Sequence, residues 1–291
     1  MGLSEFAEAV GPFDPVTISG TGTRGGAVPG VRTVHAPSGI ESIQADEMIV
    51  SCGAGTPVAE LDAALAEVGQ AVALPQSGTV GGALASGRAS IRRLGDGPVR
   101  DVLLQAHYVS AAGEIVKAGG PTVKNVSGFD LCRLLVGSLG TLGFISSVIL
   151  RTRPLAPRSQ WFRHDREPWE IFAALYRPVS VLWDGSATWV LLEGHADDVA
   201  EQAARTALTP VDGPPSLPAG ARWSMPPSAL RDLSGTTGFV AEVGVGVVHH
   251  TEPQPGRSLA PAVLALHRRL KHEFDPTGRL NPGIDPALAQ L

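Results

Sequence analysis

Residues 119–143 read GGPTVKNVSGFDLCRLLVGSLGTLG, six glycines threaded between apolar residues with one lysine, one asparagine and one aspartate. Each glycine costs roughly 0.5–1 kcal/mol relative to alanine inside regular structure. Such a stretch therefore folds as tight turns, or as backbone left bare for close approach of a ligand. Two further stretches have the same texture: GTGTRG at 20–25 and LPQSGTVGGALASG at 74–87. Exposed N–H groups and small hydroxyls suit an extended diphosphate with sugar hydroxyls. A single phosphate would not need three such loops.

Composition narrows what that ligand and its host can be. Net charge is −5 and aromatics are 5%, so neither a basic nucleic-acid surface nor a base-stacking platform is expected. An anion must be held locally, by backbone and a few basic side chains. Hydrophobic residues at 43% supply a core. The two cysteines, Cys52 and Cys132, lack the spacing of a disulfide framework or zinc site, so no metal is expected and a reducing compartment fits. The opening MGLSEFAEAVGPFDP has no apolar core of a secretory signal, and no run of about 18 apolar residues occurs. The expected location is cytoplasmic, with any association at the inner face of the membrane made through partners.

The pattern along the chain mixes short strands with helices. VTIS (16–19) and MIVSC (48–52) read as strands. Val58, Leu61, Leu65 and Val68 share one helical face, with Thr56 as N-cap and Gly69 as stop. Residues 102–110 and 115–117 read as a hairpin around AAGE, 127–136 as a short helix, and 144–153 as a strand. After Pro154 the texture changes, and TPVDGPPSLPAGARWSMPPS reads as loop. A last helix carries Val263, Leu266, Leu270 and Phe274 on one face, followed by the turn signals FDPTGRLNPG.

GTGTRG formally matches G-x-G-x-x-G, but a dinucleotide fingerprint needs a helix to start there. GAVPGVRTVHAP follows, with Pro29 and two glycines, so the Rossmann reading fails.

Taken in order, GTGTR, CGAGTPVAELDAALAEVGQAVALPQSGTVGGALASG, RRLGDGPVRDVLL, KNVSGFDLCRLLVGSLGTLGFI and FDPTGRLNPG resemble the vanillyl-alcohol-oxidase/PCMH family of FAD-dependent oxidoreductases. Within it the likeness is to the smaller FAD-binding subunits of bacterial glycolate oxidases. The resemblance implies an α+β fold: a PCMH-type FAD-binding domain of two subdomains over 1–154, a small α+β cap over 155–255, and a C-terminal helix and tail over 256–291 that return to the FAD domain. About 15 residues precede the first glycine loop, so the first subdomain is expected to be trimmed.

Carried over by motif, Gly20, Thr21, Gly22, Thr23 and Arg24 form the first pyrophosphate turn. Thr79, Val80, Gly81, Gly82 and Ser86 continue along the diphosphate and ribityl chain. Gly137, Ser138, Gly140, Thr141, Gly143 and Ile145 wrap the rest of the nucleotide, and Asn281 brings the tail towards it. No histidine stands at the family's usual attachment position, so the FAD is expected to be noncovalent.

The implied activity is oxidation of a 2-hydroxy acid within a glycolate-oxidase-like complex. Its partners would be a larger FAD-binding catalytic subunit and an iron–sulfur subunit. Two other readings stay open: a degenerate flavoprotein serving as a structural or electron-relay subunit, and a free-standing oxidase or dehydrogenase of another hydroxy acid or alcohol. Catalytic residues are not defined by sequence; Lys124 and Asn125 beside the flavin segment and His249 are weak candidates. His249 and His250 are adjacent on a strand and point to opposite faces, so they do not share a metal. Asp130 and Arg133 read as a local structural pair. Arg92, Arg93 and Arg100, near Asp96 and Asp101, read as a solvated or partner-facing patch.

Overall fold

In the opening segment the Glu5 carboxylate accepts from the Gly2 N–H at 2.9 Å and starts a helix. That helix, α1 (Leu3–Val10), buries Phe6 and Val10, one turn apart on one face. Its signal is short, and the apolar spacing along the chain did not single it out. The computed structural model describes residues 1–23, 26–121, 130–256, 258–285 and 287.

Two compact units emerge. The first comprises residues 1–90, 98–155 and 259–290, and the second residues 91–97 and 156–258. Strands of the first unit are β1 (Val16–Ile18), β2 (Arg32–Val34), β3 (Ile40–Gln44), β4 (Ile49–Gly53), β5 (Gln70–Ala71), β6 (Leu103–Val109), β7 (Ile115–Gly119), β8 (Phe144–Arg151) and β9 (Arg153–Pro154). β1 and β2 run parallel, with Ile18 opposite Val34. The larger sheet is antiparallel in the order β3-β4-β8-β6-β7, and β5 pairs with β9.

The helices along the whole chain, after α1, are α2 (Val58–Glu67), α3 (Val80–Ser86), α4 (Arg93–Asp96), α5 (Leu131–Leu135), α6 (Trp169–Ala174), α7 (Ala196–Arg205) and α8 (Pro261–Phe274). Helix α2 buries Val58, Leu61 and Leu65 of its expected face, but Val68 falls at the C-cap and is exposed. Its N-cap is Pro57 rather than Thr56. The buried Thr56 hydroxyl instead accepts from the Gly39 N–H at 2.9 Å, a tertiary bond that outcompetes capping.

These elements enclose two cores in the first unit. The larger packs α2 and α3 on the five-stranded sheet through Leu61, Leu65, Leu84, Ala106 and Leu150. The smaller joins α1 to Val16, Phe144 and Leu280. Helix α8 follows the expected spacing, but none of its residues is buried. Among the described residues no helix is long and apolar enough to cross a membrane.

The second unit is built on β10 (Arg158–His164), β11 (Ser180–Trp183), β12 (Thr188–Gly194), β13 (Thr209–Val211), β14 (Ala221–Ser224), β15 (Phe239–Glu242) and β16 (Val247–His250). They form one seven-stranded sheet in the order β13-β10-β12-β11-β15-β16-β14. One face holds a core around Trp183, Leu230, Phe239 and Val248. The stretch 209–228, read as loop, supplies both edge strands of this sheet. Prolines such as Pro210 are compatible with an edge, where an N–H is not needed by a further strand. Arg92 also departs from a solvated patch: it pairs with Asp96 at 3.0 Å and Glu193 at 2.8 Å inside this unit.

Candidate flavin site

A cavity of about 440 Å³ opens in the first unit where the glycine-rich loops converge. Gly20, Thr21, Gly22 and Thr23 line it after β1; Thr79, Gly81, Gly82 and Ser86 line it at the start and end of α3. Ser138, Gly140, Gly143, Ile145 and Asn281 complete the sequence-derived set. Stretches more than 250 residues apart in sequence thus share one wall. Val80, Gly137 and Thr141 do not line the cavity. Val80 belongs to the core, the Gly137 N–H donates to the Leu84 carbonyl at 3.0 Å, and the buried Thr141 hydroxyl donates to the Ser138 carbonyl at 2.7 Å. Arg24, Lys124 and Asn125 lie outside the described residues.

Tertiary bonds brace each loop. The Gly81 N–H donates to the Ala54 carbonyl at 2.7 Å. A Cβ on Gly81 would lie 2.9 Å from the Ala54 Cβ and 3.0 Å from its oxygen, so only glycine lets α3 sit this close to the β4–α2 loop. Gly81→Val is expected to cost about 2 kcal/mol through overpacking, with loss of bound flavin absorbance; urea unfolding and the visible spectrum check both. Thr79 turns its hydroxyl inward to accept from the Gly82 N–H at 3.1 Å, the N-cap bond of α3.

The tail acts as a staple. Leu280 bridges Val16 in parallel, and the Asn281 N–H donates to the Val16 carbonyl at 2.9 Å. The Asn281 side-chain oxygen accepts from the Thr17 hydroxyl at 2.8 Å and the Ile18 N–H at 3.0 Å, while its amide donates to the Leu139 carbonyl at 2.7 Å. Gly140, with φ +71°, takes the left-handed turn that passes this amide; a Cβ there would stand 2.8 Å from Asn281 Nδ2. Behind the staple, the buried Arg279 donates to the carbonyls of Asp14, Ala111 and Val10.

The donor set fits a flavin nucleotide. Ser19, Thr21, Thr23 and Ser38 bring hydroxyls to the lining, those of Thr79, Ser86 and Ser138 being engaged by backbone, and Ile18, Leu139, Phe144, Ile145 and Ile284 offer apolar surface for flat rings. Gly22, at φ +75°, stands in open space with no atom within 4 Å of a Cβ built on it, as a loop left bare for a ligand requires.

Residues 14–119 match the FAD binding domain family, and residues 239–284 match the C-terminal domain of FAD linked oxidases. The chain belongs to the vanillyl-alcohol-oxidase/PCMH family of FAD-dependent oxidoreductases. FAD is its cofactor. Glycolate oxidase subunit GlcE of Escherichia coli (strain K12) is 26% identical over an alignment covering 97% of this chain and 95% of that protein. A D-lactate dehydrogenase of Archaeoglobus fulgidus is 38% identical, over 46% of this chain and 32% of its own length. Among solved structures, an alkyldihydroxyacetonephosphate synthase superposes with a TM-score of 0.65 at 14% identity, covering 92% of this chain and 71% of that one, which reflects the shared fold.

The second unit carries a separate polar cluster. The Glu242 carboxylate is 1% exposed and accepts from His249 Nε2 at 2.9 Å, with Arg222 Nη2 3.6 Å from the same oxygen. Because a carboxylate only accepts, Nε2 carries the proton and Nδ1 keeps a lone pair in the neutral ring. His250 faces the other way and stacks on Trp223 at 4.1 Å. Asp130 pairs with Arg133 at 3.0 Å, as read from sequence. No group of three or more metal-ligating side chains occurs among the described residues. Burial raises the Cys52 thiol to about 12, with Glu41 and Glu60 adding to the shift. Burial also raises the Cys132 thiol, to about 11.

Proposed function

We propose that this chain is an FAD-dependent subunit of a glycolate-oxidase-like complex that oxidises a small 2-hydroxy acid and passes the electrons to partner chains. The observation that carries this reading is the glycine-lined cavity, in a chain alike over almost its whole length to a glycolate oxidase subunit. Bound FAD supplies a two-electron acceptor. In the proposed reaction the hydroxyl O–H and the adjacent C–H of the hydroxy acid break. The proton goes to a base, the hydride electrons go to the acceptor, and the alcohol carbon becomes a carbonyl.

His249 is kept as a candidate base on the chemistry of its own cluster: Glu242 holds its Nε2–H, which leaves Nδ1 as the acceptor. Lys124 and Asn125, outside the described residues, remain candidates from the sequence alone. The proposed partners are a larger FAD-binding catalytic subunit and an iron–sulfur subunit. Two buried free cysteines do not make a four-thiolate ligand set, so the cluster is assigned to a partner.

The test is the visible spectrum of the purified chain under anaerobic conditions, before and after glycolate or D-lactate, alone and with its partner chains. A noncovalent flavin band that bleaches in either setting supports the proposal, and bleaching of the chain alone assigns turnover to it. A flavin band that never bleaches, with partners present, replaces it by a structural role. A protein that stays colourless after incubation with FAD overturns it.

A further inference from the structure

His35 is a residue that neither the glycine motifs nor the family resemblance singled out. It directly follows β2, and the parallel register that sets Ile18 opposite Val34 brings Ser19 and His35 off the sheet side by side. The Ser19 N–H donates to the Val34 carbonyl at 3.0 Å. His35 Nδ1 lies 2.9 Å from the Ser19 carbonyl oxygen. A carbonyl only accepts, so Nδ1 carries a proton and is the donor. The ring is thereby fixed against the residue that opens the first glycine turn, and Nε2, on the far side of the ring, is not used by that bond.

Charge gives this placement its meaning. His35 lines the cavity, and among the described residues it is the single titratable side chain that does so. The other polar groups there are hydroxyls, backbone and the Asn281 amide, all neutral. Arg32, three residues earlier, is committed elsewhere: its guanidinium donates to the carbonyls of Ala9 and Val10 at the end of α1. A diphosphate brings two negative charges into a site whose other described lining groups are neutral dipoles. A charge-assisted hydrogen bond is the strongest contact a single side chain can add there.

We infer that His35 contacts the cofactor, bracing the first glycine turn through Nδ1 and donating from Nε2 to the diphosphate of the bound flavin nucleotide. A phosphate oxygen only accepts, so both ring nitrogens carry protons in the complex. The inference rests on the cavity being the flavin site.

The experiment uses the full chain stripped of flavin and titrated by calorimetry with FAD, ADP and riboflavin. His35→Ala is expected to weaken FAD and ADP about tenfold or more and to leave riboflavin unchanged. His35→Asn keeps a donor for the Ser19 carbonyl but has no group at the Nε2 position, so it is expected to stay weak for ADP. Full recovery of ADP affinity in His35→Asn reduces His35 to a brace and overturns the diphosphate contact. Affinities in His35→Ala within twofold of the unmodified chain overturn the inference as a whole. If the unmodified chain fails to rebind FAD, the flavin site itself is overturned, a result separable from any effect of the variants.

Discussion

Asn281→Ala is expected to raise the Kd for FAD about 100-fold. Its side chain makes three hydrogen bonds, to Thr17, Ile18 and Leu139, and these tie the first glycine turn and the third glycine loop to the tail. Each partly buried bond contributes about 1 kcal/mol net. Losing three leaves two cavity walls without a common strut, and about 2.7 kcal/mol corresponds to 100-fold in affinity. Asn281 also sits at φ 45°, a left-handed backbone that asparagine tolerates better than alanine. Flavin fluorescence on titration of the stripped protein reads the effect. A change below threefold would show that the loops hold their shape without the staple.

Asp275→Asn is expected to destabilise the first unit by about 3 kcal/mol. The Asp275 side chain is fully buried. It accepts from Lys271 Nζ at 2.6 Å, from the Leu280 N–H at 2.8 Å and from the Arg279 N–H at 3.1 Å. Lys271 in turn donates to the Thr141 and Leu280 carbonyls, so the pair welds α8 and the tail to the third loop. Burial alone pushes this carboxyl up, but the hydrogen bonds from Lys271, Leu280 and Arg279, with the Lys271 charge, outweigh it and hold it below the usual carboxylate range. A depressed native value stabilises the fold above the ordinary aspartate value of about 4, and that contribution is lost as pH falls towards the native value. Urea unfolding against pH should therefore show a loss of stability below about pH 4 that is smaller in the asparagine variant. Equal acid sensitivity in both proteins would remove Asp275 from the account.

Much of the local structure was legible because it rests on local chemistry. The AAGE hairpin joins two apolar runs across a short turn into an antiparallel pair, and the face of α2 follows from residues three and four apart. Misreadings occurred where a distant partner intervened. Thr56 has the chemistry of an N-cap, yet Gly39, 17 residues away, takes its hydroxyl. The proline-rich stretch 209–228 looks unable to form a sheet, but its residues 209–211 and 221–224 occupy two edges, where proline is tolerated. Val80 and Thr141 belong to cavity motifs yet do not line the cavity: Val80 opens α3 and packs into the core, and the buried Thr141 hydroxyl is spent on the Ser138 carbonyl. His35 had no signal at all: one histidine after a three-residue strand acquires its role only from the register of that strand.

By itself the sequence determined three loops of glycine and small hydroxyl residues, built either for tight turns or for backbone left bare to a large anionic ligand. It also determined the helices and strands whose apolar spacing is local. Only the tertiary structure decided that the three loops and a tail some 140 residues further on close around one cavity. The physical reason is that Asn281, Arg279 and Lys271 act mainly through hydrogen bonds to backbone carbonyls and an N–H, which almost any residue at those positions could offer. Such partners leave no trace in residue type, and become specific only when the folded chain brings them within 3 Å.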